Sequence, residues 1–181
     1  MFGVFGNTLA EAKRSEFFVW FHMAEMASEV RNGLTVRTFS PTSPDFKPLV
    51  ALEMTTDAQD NIARTALRIQ RAFIDHAEMA NFAADIAKSF FVASLNPPDI
   101  EMIREAVIQI RSYVPATSRM QSFSLRGEAQ APLAPGEGEL EYFTYSGKRR
   151  QFHRGLATMN LDMVNESDGG IEWLKITIDP K

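Results

Sequence analysis

From Thr56 to Asn96 the chain contains no glycine and no proline, and so long a run without a backbone breaker constrains the fold more than any other feature. Within it Ile62, Ala66, Ile69, Phe73, His76, Ala80, Ala83, Ala87 and Phe90 recur at alternating spacings of four and three. That is the repeat of a heptad seam. Arg64, Arg68, Arg71, Asp75, Glu78 and Asp85 fall on a different stripe, suited to water. Thr56 and Gln59 have capping-box spacing, and Asp57 and Asp60 suit the positive end of a helix dipole. The pattern predicts one long helix over residues 57–95. Straight, it would reach about 55 Å, more than the roughly 40 Å diameter of a compact domain of this length. The helix must therefore break, with Asn81 the favoured place, or protrude and bury its seam against another subunit.

Asn96-Pro97-Pro98-Asp99 ends this run and opens the next helix, with Asn96 as expected cap and a proline at the first helical position. Ile103, Val107, Ile110 and Val114 form one apolar stripe before Pro115. Two helices joined so tightly make an antiparallel hairpin.

Upstream, Thr8 and Glu11 have capping-box spacing, and Asn32-Gly33 supplies a left-handed stop. Two apolar lines run between them: Phe17, Phe21, Ala24 and Ser28, and Val19, Met23, Met26 and Val30. They predict a mostly buried N-terminal helix. Residues 34–56 read as extended, with strand candidates at 34–38 and 49–52 and prolines 41, 44 and 48 between them. After Pro115 the pattern changes. A loop over 115–138, expected to be mobile, precedes three strand candidates at 139–145, 152–164 and 171–178. Ser146-Gly147 and Asp168-Gly169-Gly170 are the turn signals between them. The sequence thus predicts a single α+β domain over 1–181, helical over about 7–114 with two short strands inserted, then a loop, then an antiparallel meander over 139–179.

Composition removes whole classes of function. A net charge of −4 supplies no global basic field, which argues against nucleic acid as partner. The 181 residues include no cysteine, so disulfides, thiolate nucleophiles and thiolate metal sites are all excluded. A cysteine-free chain suits a reducing cytoplasm, although a signal peptide removed on export would leave no trace. The densest apolar run, Phe17–Phe21, falls far short of a membrane span.

Three places could carry chemistry. His22 and Glu25 stand three residues apart, one helical face in the predicted N-terminal helix, and with His153 they are the candidate polar groups of a pocket. No Glu-x-x-His pattern accompanies them, so neither a metal nor an intrinsic cofactor is expected. Lys148, Arg149 and Arg150, with Arg154 nearby, form the densest cationic cluster. Aromatic neighbours Tyr142, Tyr145 and Phe152 could let such a turn hold an anion or an acidic partner. Lysine and arginine at a hairpin turn equally serve to keep sheet edges from pairing. Met23, Met26, Met159, Met163, Phe17, Phe21 and Trp173 could wall an apolar cavity between sheet and helices, or simply fill the core. No nucleophile elbow, phosphate loop or dinucleotide fingerprint occurs. The expectation is a non-catalytic binding or interaction protein, homodimeric through the 57–95 helix. The alternative is a small-molecule-binding protein or enzyme with an apolar pocket beneath the sheet.

Overall fold

A computed structural model describes residues 5–74, 77–112, 150–154, 157–165 and 172–180. In order these form α1 (Leu9–Lys13), α2 (Glu16–Trp20), β1 (Met23–Arg31), β2 (Leu34–Pro41), β3 (Val50–Thr56) and β4 (Ile62–Gln70). Then come α3 (Arg71–Ile74), α4 (Ala77–Ser94), α5 (Ile100–Ser112), β5 (Arg150–Arg154), β6 (Ala157–Asn165) and β7 (Glu172–Pro180). The strands make one seven-stranded sheet in the order β1-β2-β3-β4-β7-β6-β5. Every described pair is antiparallel. The α+β class therefore stands, with β7 joining an N-terminal four-stranded meander to a C-terminal three-stranded one.

The N-terminal helix begins as the sequence predicts and then departs from it. Thr8 and Glu11 form the capping box, but the helix lasts one turn. Ser15 starts a second short helix, and Met23–Arg31 is a strand. Asn32 and Gly33 hold φ of 52° and 78°. Those are the left-handed angles of a two-residue hairpin turn, not the stop of a helix. The same two residues satisfy both devices, so the local sequence does not separate a helix stop from a hairpin turn.

The long helix is also corrected. Residues 62–70 are β4, and among the described residues of this run only Ala77–Ser94 forms an extended helix. Thr65, Leu67 and Ile69 share one face of β4, opposite Met54, Leu52 and Val50 of β3 and Ile178, Ile176 and Leu174 of β7. Arg64, Ala66, Arg68 and Gln70 take the other face. Because Ala66 and the arginines recur at helical as well as strand spacing, the two periods overlap here. The conflict of length disappears, since eighteen residues of α4 span only about 27 Å. The predicted seam does not exist as one surface. Ile62, Ala66 and Ile69 are buried within the sheet, while Ala83, Ala87 and Phe90 are buried in the core beneath α4.

The expected helix start at Thr56–Asp60 is a tight loop closing β3 onto β4. Asp57 Oδ1 accepts from the amides of Gln59 and Asn61 at 2.9 Å, and its Oδ2 accepts from Asn61 Nδ2 at 2.9 Å. A carboxylate satisfies orphan amides in a turn as readily as at a helix cap. At α5 the cap is Asp99, whose Oδ1 accepts from the amides of Glu101 and Met102, and not Asn96. The expected strand 152–164 is two strands, β5 and β6. The expected strand at 139–145 and the 115–138 loop lie outside the described residues.

One sheet face packs against the helices. Phe17, Phe18, Phe21, Phe39, Phe90 and Phe91 belong to a single buried apolar cluster with Leu52, Leu67, Ile176 and Leu161. Phe17 meets Phe18, Phe21 and Phe90 with ring centroids 6.0, 5.5 and 6.3 Å apart. The N-terminal segment stitches the helical layer to the sheet. The Phe5 carbonyl accepts from Asn96 N at 2.8 Å, the Asn7 carbonyl from Ile62 N at 3.0 Å, and Asn7 Nδ2 donates to the Ala93 carbonyl at 2.9 Å.

Candidate functional site

Strand β1 is an edge: among the described residues it pairs only with β2. Its residues Glu25–Arg31 are all exposed, with Met26 and Val30 at 57% and 73% of their full accessibility. An exposed edge presents unpaired amides and carbonyls to any second strand. Which ones follows from the turn. In a two-residue hairpin the flanking pair, Arg31 and Leu34, exchanges hydrogen bonds, and pairs then alternate down the ladder. Glu29 opposite Val36 is therefore bonded to β2. Ser28 and Val30, opposite Arg37 and Thr35, turn their backbone groups outward.

The base of this hairpin is fixed by charge. Glu25 lies 3.2 Å from Lys13 Nζ at the end of α1 and 3.7 Å from Arg37 Nε on β2. Arg37 also reaches Asp60 at 3.1 Å and donates to the Thr56 hydroxyl. Lys13 stands 5.5 Å above the centre of the Phe39 ring, a cation–π distance. Among the described residues, the one ion pair at the tip is Glu29 with Arg31. A β-bulge at Met26 separates the two halves. The device is a tethered base with an open, regular run from Ala27 to Arg31.

Beside the tip, Arg31, Leu34 and Val36, with Thr55, Arg64 and Pro180, border an open groove of about 380 Å³. Its inner wall is ordered by Asp179, which receives Arg64 Nε at 2.7 Å and Asn160 Nδ2 at 3.1 Å, linking β4, β7 and β6. Asn160 and Trp173 are buried on the sheet face opposite the apolar cluster, and among the described residues Asn160 Oδ1 and Trp173 Nε1 have no hydrogen-bond partner.

The structure disperses the residues singled out by sequence. His22 is an exposed residue of positive φ between α2 and β1, and Glu25 is on the strand, so no helical face joins them. His153, Arg150 and Arg154 lie on β5, opposite Thr158, Leu161 and Ala157. Lys148 and Arg149 fall outside the described residues. Of the expected cavity walls, Phe17, Phe21 and Met159 fill the core, Trp173 is on the other face and Met26 is exposed on β1. Sequence reasoning missed the β1 edge, whose one local signal was Asn32-Gly33 between two stretches able to pair. No helix among the described residues is long and apolar enough to cross a membrane. Compared with known proteins, the chain matches no family model, no curated protein and no solved structure.

Proposed function

We propose that this chain is a non-catalytic, cytoplasmic binding protein that recruits a partner by adding an extended segment to the free edge of β1. The observation that carries this reading is the continuous exposure of Glu25–Arg31 on an edge strand whose base is held by Lys13, Arg37 and Phe39. A pre-formed strand supplies main-chain hydrogen bonds without an ordering cost, and the flanking side chains then select sequence. Binding of the intact chain to an array of extended peptides tests it. Bound peptides that are lost on Ser28→Pro support the reading. No bound peptide, or binding indifferent to that change, overturns it.

The groove beside Leu34 and Val36 favours a second reading, a small apolar ligand. Its volume lies near the lower end of the range for such sites. Leu34→Arg should abolish uptake of an apolar fluorescent probe there, and unchanged uptake would sink that alternative.

A further inference from the structure

Resting on the strand-addition reading, we propose that one occupant of the β1 edge is the β1 strand of a second copy of this chain, antiparallel, with Ser28 facing Ser28 across a two-fold axis. A symmetric antiparallel pair must oppose residues of equal parity, so the possible registers are few. Centring on Ala27 would bring Glu25 against Glu29, and centring on Glu29 would bring that carboxylate against its own copy. Like charges directly opposite destabilise a ladder. Centring on Val30 leaves little more than the tips to pair before the chain turns at Asn32-Gly33.

The Ser28 register avoids all three faults. Each Glu29 then faces Ala27, and Ser28, whose backbone groups point outward, forms the central hydrogen-bonded pair. Val30, the more exposed of the strand's two large apolar residues, then reaches the partner's bulge at Met26, once on either side of the axis. The carboxylates and the bulge, devices that usually close an edge, here leave one register open. The overlap of five residues is short, so the dimer is weak and concentration-dependent.

The chain lacks cysteine, which makes single-cysteine variants clean reporters. In a hydrogen-bonded antiparallel pair the two Cα atoms are about 5.5 Å apart, a span that a disulfide bridges without strain. Under mild oxidation at high micromolar concentration, Ser28→Cys should form a covalent dimer about tenfold faster than Ala27→Cys or Glu29→Cys, which face other residues. Light scattering of the unmodified chain should show mass rising above 20.3 kDa with concentration, and Ser28→Pro should abolish that rise. Ser28 does not bond to β2, so this variant keeps the fold, as circular dichroism would show. Glu29→Pro, which removes a bond within the hairpin, is the destabilised control. A constant monomer mass, or equal cross-linking at the three positions, overturns the proposal. A chain that stays monomeric yet binds peptides at this edge overturns the second copy alone, whereas one that binds neither overturns both readings.

Discussion

Gly6 lies against Asn96 so closely that a Cβ added to it would stand 2.1 Å from the Asn96 carbonyl oxygen. The neighbouring Phe5 carbonyl binds the Asn96 amide at 2.8 Å, so the two backbones cannot separate without losing the stitch between the N-terminal segment and the end of α4.

Gly6→Ala should therefore cost more than left-handed strain alone. Gly33 is the internal comparison: its φ is 78° against 65° for Gly6, but nothing lies within 4 Å of its added Cβ. We expect Gly33→Ala to lower stability by about 1 kcal/mol and Gly6→Ala by about 3 kcal/mol or more. Urea unfolding of both variants measures the difference. Equal losses would mean that the Gly6–Asn96 contact relaxes freely.

Phe17 joins α2 to α4 through Phe90 and is fully buried. Phe17→Ala should cost about 3–5 kcal/mol, combining lost burial with the cavity left behind. Trp20, three residues on and 66% exposed, should tolerate serine within about 0.5 kcal/mol. A large loss at Trp20 in the isolated chain would show that it is covered in solution.

The contrast between these neighbours shows what was legible in the sequence. The α5 helix and the β7 alternation were readable because one period dominates each, although the fully buried line of α5 is Met102, Ala106 and Ile110, with Ile103 and Val107 only partly buried beside it. The one-turn helix at Thr8 was readable at its start, through a capping box that is purely local. Its end was not, because whether Met23–Arg31 coils or extends depends on pairing with β2, a tertiary gain that outweighs propensity. The same holds at β4, where Arg64 and Arg68 fit both periods and pairing with β3 and β7 decides. The candidate site followed the same logic. An edge is defined by what fails to pair with it, and no single segment encodes that.

Asp57 and Glu11 make stability sensitive to acid. The hydrogen bonds from Asn61, joined by the Gln59 amide, hold the Asp57 carboxyl below its ordinary value of 3.8. Those from Thr8 hold Glu11 below 4.5. A lowered folded value means that the native state releases the proton first. The contribution of each group is complete above its ordinary value and is lost as pH falls through the folded one. Stability should decline below about pH 4.5, and Asp57→Asn should flatten the decline below about pH 4. An unchanged pH profile in that variant would show that the loop carboxylate contributes nothing.

Arg37 should matter more than its place near a sheet edge suggests. Only 17% of its side chain is exposed, and it joins Glu25, Asp60 and the Thr56 hydroxyl in one cluster. Networks that are partly dehydrated escape the screening that makes isolated surface pairs nearly neutral. Lys88, paired with Asp85 at 3.0 Å on exposed α4 surface, is the matching isolated pair. Arg37→Met should cost about 1–2 kcal/mol, and Lys88→Met no more than about 0.5 kcal/mol. Because Arg37 and Glu25 also fix the base of the β1 hairpin, the first variant should quicken amide exchange at Ala27 and Glu29 while leaving α4 amides unchanged. Equal costs for the two variants, or exchange that quickens everywhere, would mean that the cluster does not anchor the edge.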